Sequence, residues 1–376
     1  MIKVVTVVGA RPQFIKAAIV SRAFAREGAV REVLLHTGQH YDERLSEVFY
    51  RELEIPRPAF ELAIGSGSHG VQTGRMLAGI EEILVSERPD WVLVYGDTNS
   101  TLAGALAAAK LPFALAHVEA GLRSFNRRMP EEINRIVTDH CADLLFAPTD
   151  RARSNLLSEG IPDERIHLVG DVMYDAVIHF GERAEKDSRL LERHDLEPGG
   201  FILATIHRAE NTDDPRRLEA IFHGLEQVGR EKKVILPLHP RTRKALDRQP
   251  RGARFIDPQP GSAQSLRCIE PVGYLDMLKL ERAAALVVTD SGGVQKEAFF
   301  QRTPCVTLRT ETEWKELVEI GWNRVVAPES AEQVRDAVLA ALQAGVPSVP
   351  PAAENLYGGG QAAQRIVNTL RGGPAR

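Results

Sequence analysis

A chain of 376 residues with 43% hydrophobic and 26% charged side chains holds enough apolar material for two or three packed domains. Its formal net charge of −4, from 47 basic and 51 acidic residues, supplies no overall field for nucleic acid or an anionic membrane. The cysteines Cys141, Cys268 and Cys305 stand far apart with no CxxC spacing, so no disulfide framework or cysteine zinc site is expected, and a reducing cytoplasm fits. Arg11 and Pro12 interrupt the apolar N-terminus too early for a signal peptide, and no run approaches the ~18 apolar residues of a membrane span.

Short runs rich in Val, Ile and Leu recur along the chain. The first half carries VVTVVG (4–9), VLLHT (33–37), WVLVYG (91–96), FALAHV (113–118), LLFAPT (144–149) and IHLVG (166–170). Helical stretches such as 98–110 and 151–159 separate them. The charged stretch 181–200, which ends in Pro198-Gly199-Gly200, reads as a helix and linker. Beyond it come FILATIH (201–207), KVILPLH (233–239), ALVVTD (285–290), CVTLR (305–309) and RVVA (324–327). Apolar runs without polar alternation predict strands buried on both faces, as in parallel sheets covered by helices. An α/β fold follows, with two halves built alike. After the glycines at 358–360, the spacing of Ala362, Ile366, Val367 and Leu370 predicts an amphipathic final helix.

Polar residues gather where these strands end. Gly9-Ala10-Arg11 follows the first, Gly38-Gln39-His40 the second, Gly96-Asp97 the third, and His117 and Glu119 close the fourth. In the second half His207-Arg208, His239-Pro240-Arg241 and Asp290-Ser291-Gly292-Gly293 hold the same place. Singly, each has a plain structural reading: an aspartate can cap a helix, a histidine can sit satisfied in a core, and Arg11 and Lys16 can form surface pairs. Repeated at the carboxyl ends of strands, where open parallel sheets bind ligands, they predict a ligand site. Ser291-Gly292-Gly293 before a helix suits a phosphate, with Arg11 and His207 as cations and Glu297 as an acceptor for ribose hydroxyls.

Neither GxGxxG nor the phosphate loop GxxxxGK[ST] is present, and no zinc motif occurs, so no cofactor or metal is expected. Acid–base chemistry remains. Asp97, Glu119 and Glu131 are its candidates, and clustered carboxylates would push one another's pKa values apart.

The motifs GARPQFIK (9–16), TGQHYD (37–42), VYGDTNST (94–101), HVEAGLRS (117–124), MPEEINR (129–135), TIHRAEN (205–211) and TDSGGVQKEA (289–298) together resemble the non-hydrolysing UDP-N-acetylglucosamine 2-epimerases. The resemblance implies a GT-B architecture: two Rossmann-like domains, residues 1–175 and 176–355, whose parallel sheets face a central cleft. It also implies that a helix at about 358–376 returns to the first domain. The implied reaction interconverts UDP-GlcNAc and UDP-ManNAc through elimination of UDP to a 2-acetamidoglucal and re-addition, serving cell-surface polysaccharide synthesis. By resemblance, Asp97, Glu119, Glu131 and His207 are catalytic. Arg11, Lys16, Arg135, His239, Val272, Met277, Ser291, Gly292, Gly293 and Glu297 contact UDP or substrate. Gln39 and His40 match an allosteric site of some members. The resemblance further implies a homodimer, a UDP-sugar as the one small-molecule partner, and neither nucleic acid nor membrane.

Trp314 departs from the family pattern, standing where better-known members carry a substrate-binding arginine, and Ala209 stands where many have a second arginine. TGQHYD with TEW also resembles a sister group that acts on UDP-2,3-diacetamido-2,3-dideoxy-glucuronate. A GT-B glycosyltransferase and a hydrolysing epimerase are the alternative readings. The carboxylate trio favours exchange of a proton at C2.

Overall fold

The computed structural model describes residues 1–39, 52–249, 252–256 and 266–373. The chain divides into two compact units, the first formed by Met1–His179 with Glu354–Arg376 and the second by Phe180–Ala353.

The first unit holds strands β1 (Ile2–Val8), β2 (Val30–His36), β3 (Phe60–Glu61), β4 (Trp91–Tyr95), β5 (Ala114–Val118), β6 (Leu144–Ala147) and β7 (Ile166–Leu168). They form one sheet in the order β3-β2-β1-β4-β5-β6-β7, and every pairing is parallel. The order reverses between β1 and β4. At such a switch point adjacent crossovers leave in opposite directions and open a crevice beyond the strand ends. β4 and β5 are buried along their whole length, as their largely apolar sequences require, with His117 the one ionisable residue in β5.

Helix Arg11–Glu27 starts directly after β1, with Pro12 in its first turn and Gly28 closing it in the left-handed conformation. Gln13 turns its amide back on the junction. Its Oε1 accepts from the N–H groups of Gly9 (2.8 Å) and Ala10 (3.1 Å), while Nε2 donates to the Tyr95 carbonyl (2.9 Å). One buried glutamine thus ties the end of β1 to the end of β4.

The final helix Ala362–Arg371 buries Ala362, Ala363, Ile366, Val367 and Leu370, a single stripe at helical spacing. Trp91 Nε1 donates to the Leu370 carbonyl at 3.2 Å, and Arg371 pairs with Glu27 at 2.7 Å. Asp175 accepts from the first N–H groups of this helix, at Ala362 (3.2 Å) and Ala363 (2.9 Å).

The second unit repeats the plan with β8 (Phe201–Thr205), β9 (Lys233–Pro237), β10 (Leu266–Ile269), β11 (Leu286–Thr289), β12 (Cys305–Thr307) and β13 (Asn323–Val325). Their order is β10-β9-β8-β11-β12-β13, with the reversal between β8 and β11. Alternate residues feed two cores. Ile202, Ala204, Val234, Leu236 and Val288 pack with Leu218, Phe222 and Leu225 on one face. Phe201, Leu203, Ile235 and Val287 pack with Leu280 and Ala298 on the other. Each such aliphatic side chain, fully buried, contributes about 1.5–3 kcal/mol.

Two strands, β3 and β10, have no counterpart among the apolar runs. Both lie at sheet edges, where one neighbour and partial burial suffice and FE or LRCI can serve. The stretch 181–200 begins inside helix Val172–Asp187, followed by the short helix Leu190–Arg193. The two units are Rossmann-like, the building blocks of a GT-B fold. Among the described residues, no helix is long and apolar enough to cross a membrane.

Candidate active site

In the first unit the predicted acids collect at the β1/β4 switch and beside it. Gly96 leaves β4 with a φ of 63°, and a Cβ there would stand 3.3 Å from both Lys16 Nζ and Glu119 Oε2. Only glycine takes that turn without strain or crowding. Lys16, on the second turn of the helix after β1, is buried and ion-paired to Glu119, so it is no solvated surface cation. Glu119 has a φ of 71°, uncommon for a residue with a side chain and costing of order 1–3 kcal/mol. That strain turns its carboxylate toward Lys16.

Asp97 caps no helix; Thr98 performs that task for helix Asn99–Ala109. Its carboxylate instead receives Arg135 Nη1 at 2.6 Å, and its carbonyl receives Asn134 Nδ2 at 2.9 Å. Desolvation raises the Asp97 pKa. Arg135 and Lys16 oppose the rise, whereas Glu119 and Glu131 add to it. Two neighbouring carboxylates therefore raise the pKa of a third at this point. About a third of the Asp97 side chain (34%) stays accessible.

Arg135 lies on helix Pro130–Cys141 one turn after Glu132 and grips it through Nε (3.1 Å) and Nη2 (2.8 Å). Glu132 also accepts from the N–H groups of Ser124 (2.9 Å) and Phe125 (2.8 Å) and from the Ser124 hydroxyl (3.0 Å). Those bonds and the guanidinium hold its pKa below the usual glutamate value despite burial. Glu131, its neighbour on the first turn, is half-buried and contributes its charge to Asp97. Arg135 was expected beside substrate; its guanidinium spans Asp97 and Glu132. Gln39 accepts from Ser100 N (3.0 Å) and Oγ (2.7 Å), while His40 lies outside the described residues.

The second cluster lies at the β8/β11 switch. Asp290 is fully buried and organises the turn after β8. It accepts from the N–H groups of His207 (3.0 Å) and Arg208 (3.0 Å) and from Asn211 Nδ2 (3.0 Å). This network leaves the His207 ring partly exposed, 5.3 Å from the ring of His239. His239 Nδ1 accepts from Arg241 N at 3.1 Å, capping helix Pro240–Asp247.

Ser291 caps helix Gly292–Phe300, one residue pair earlier than the expected start near Val294. A Cβ on Gly292 would lie 2.6 Å from Glu313 Oε1 and displace that carboxylate, whereas a Cβ on Gly293 would meet nothing closer than 4.0 Å. The open backbone beside Gly293 suits an anion. Glu297 is buried in the second turn. Val272 and Met277 are partly buried against the second of the two cores in this unit, and Val272 also lines a cavity of about 440 Å³ along β10.

Trp314, the departure from the family pattern, is buried, donates from Nε1 to the Gly292 carbonyl (2.9 Å), and lays its ring 4.1 Å from Lys296 Nζ. Other residues here escape sequence reasoning. Arg309 grips Glu313 at 2.8 Å. Asp139 and Arg123 lie behind Glu119. The spacing of Glu132, Arg135 and Asp139 along one helix was the available signal.

Comparison with known proteins fits this geometry. A family model described as UDP-N-acetylglucosamine 2-epimerase matches residues 22–371. The UDP-2,3-diacetamido-2,3-dideoxy-D-glucuronate 2-epimerase of Pseudomonas aeruginosa is 49% identical, over 98% of this chain and 99% of that one. The UDP-N-acetylglucosamine 2-epimerase of Methanocaldococcus jannaschii is 43% identical over 98% of each. The crystal structure of that enzyme in complex with UDP-GlcNAc and UDP superposes with a TM-score of 0.88, covering 98% of this chain and 99% of that one. The chain is therefore an epimerase, and it belongs to the UDP-N-acetylglucosamine 2-epimerase family.

Proposed function

We propose that the protein interconverts UDP-GlcNAc and UDP-ManNAc without net hydrolysis. A carboxylate removes the C2 proton while the bond from C1 to the diphosphate oxygen breaks, and UDP departs with the electron pair. The resulting 2-acetamidoglucal takes a proton on the opposite face of C2 as UDP adds back at C1. Asp97 and Glu131 exchange these protons, and Glu119, held by Lys16, orients the sugar. A general base supplies roughly 10²–10⁴ in rate, so the leaving diphosphate needs stabilisation of its own. Ser291, Gly292, Gly293, His207 and Arg11 are assigned to it, with Glu297 on the ribose and Val272 and Met277 near uracil.

The observation that carries this reading is the raised pKa of Asp97 amid Glu119 and Glu131, with Arg135 and Lys16 opposing the rise. A carboxyl whose pKa is raised among other carboxylates suits a reaction that both takes and returns a proton.

A second reading, UDP-2,3-diacetamido-2,3-dideoxy-glucuronate as substrate, is favoured by Trp314 in place of arginine and by the 49% identity to the Pseudomonas enzyme. Proton NMR in D2O tests both. The substrate that gains deuterium at C2 while keeping UDP attached is the one used. Release of free UDP with either sugar would support the hydrolysing alternative instead. If Asp97→Asn and Glu131→Gln both kept near-full turnover, the assignment of roles would be wrong.

A further inference from the structure

His117, at the fourth residue of β5, is wholly buried, and each ring nitrogen has one partner. Nδ1 lies 2.7 Å from Asp139 Oδ1 and Nε2 lies 2.8 Å from the Gly96 carbonyl. A carbonyl can only accept, so Nε2 carries a hydrogen. Asp139 is held ionised: its pKa lies below the ordinary value, because His117 and Arg123 outweigh its burial. Its other oxygen accepts from Gly121 N (3.1 Å) and Arg123 Nη1 (2.7 Å).

Arg123 also pairs with Glu159 at 2.7 Å, which fixes the guanidinium that grips Asp139.

We propose that His117 is a positioning residue for the reaction, a buried ring that holds the turn bearing Asp97 and the turn bearing Glu119 in one geometry. Through Nε2 it fixes Gly96, the residue before Asp97. Through Asp139 it fixes Gly121, two residues after Glu119. Both turns are left-handed and strained or glycine-dependent, with φ of 63° at Gly96, 71° at Glu119 and 82° at Gly121, so a tether on each has a task. Misplacing a reacting group by ~1 Å costs roughly 100-fold in rate.

This inference rests on the proposed roles of Asp97 and Glu119, and its test separates the two. The full-length protein and its His117→Asn and His117→Gln variants are assayed for C2 deuterium exchange, for kcat and KM, and for UDP affinity by calorimetry. Asn can keep the Asp139 contact but cannot reach Gly96, whereas Gln can reach the Gly96 carbonyl. Expected are a kcat lowered roughly 10–100-fold in His117→Asn, partial recovery in His117→Gln, and UDP affinity within about twofold of wild type. A purely structural role would lower stability and UDP affinity together and would not favour Gln.

Nitrogen-15 NMR of the wild-type protein at pH 8 gives a readout that needs no variant to fold. A hydrogen on Nε2 of His117 is expected, as its contact with the Gly96 carbonyl requires, and an unprotonated Nε2 would overturn the proposal. So would His117→Asn turning over at the wild-type rate. If wild-type protein bound UDP but exchanged no proton at C2 of either sugar, the parent reading would fall and this one with it.

Discussion

Arg135 Nη1 lies 2.6 Å from Asp97 Oδ2. The same guanidinium holds Glu132, 2.8 Å from Nη2, and Glu132 in turn gathers the backbone of Ser124 and Phe125. The aspartate proposed to exchange the C2 proton is thereby tied, through two ion pairs, to the segment that leads into helix Pro130–Cys141. The first consequence concerns pH.

Arg135 is the largest influence lowering the Asp97 pKa, against the rise caused by desolvation. Arg135→Gln removes a cation that favours the charged form, so the carboxyl pKa rises further. The acidic limb of the pH profile of kcat/KM should move up by about one unit or more. Glu132 would lose its buried partner, costing about 3–5 kcal/mol in stability. Rates must therefore be normalised to folded protein. An unmoved acidic limb would show that Asp97 is not the titrating base.

Glu132 has a folded pKa below its ordinary 4.5. A depressed carboxylate contributes stability that is complete above that unfolded value and is lost as pH falls through the folded one. Glu132→Gln should cost about 1.5–3 kcal/mol near neutrality, the range for hydrogen bonds to a charged group. The gap between wild type and variant, measured by urea denaturation, should stay level from about pH 6 to 8 and narrow below about pH 4.5.

Asp175 behaves in the opposite sense. Burial lifts its pKa from 3.8 to about 6, although it caps the final helix at Ala362 and Ala363. A raised carboxyl binds its proton more tightly when folded. Its contribution is therefore greatest below pH 3.8 and declines until pH passes about 6. Relative to Asp175→Asn, the wild-type protein should lose roughly 2–3 kcal/mol of stability across that window. A flat difference between the two proteins from pH 4 to 7 would contradict this.

Trp314 latches the loop before it to the Gly292 peptide and covers Lys296. Phenylalanine keeps the aromatic face but loses the indole N–H, so Trp314→Phe should cost about 1 kcal/mol. Trp314→Leu removes the cation–π contact too and should cost about 1 kcal/mol more. Because the Gly292 carbonyl shares its peptide plane with the Gly293 N–H assigned to the diphosphate, both variants should weaken UDP binding. Calorimetric titration with UDP checks this; unchanged affinity would remove Trp314 from the phosphate side.

The buried strands and the polar residues that follow them were legible because both signals are local. An unbroken run such as WVLVY has no polar face to present, and the glycine after it marks where the chain turns. Edge strands β3 and β10 were not legible, since a strand with one neighbour needs no such run. Lys16 could be read as a surface cation until its pairing with Glu119, 103 residues away, was visible. Likewise, nothing within DSGG indicates that Asp290 serves the backbone of His207 and Arg208 rather than its own helix.

What the amino-acid sequence alone determined was the α/β class, the duplicated plan, the family, and the set of residues at the strand ends. Each depends on residue type and spacing along the chain, which short-range sterics and burial convert into strands, turns and helices. Only the tertiary structure decided which of those residues meet. Strand order brings β1 beside β4 and β8 beside β11, and so joins Lys16 to Glu119 and Asp290 to His207. It also buries His117 between Asp139 and the Gly96 carbonyl. Protonation and charge at these points are set by neighbours distant in sequence, because electrostatic energy depends on separation in space and on the water excluded there.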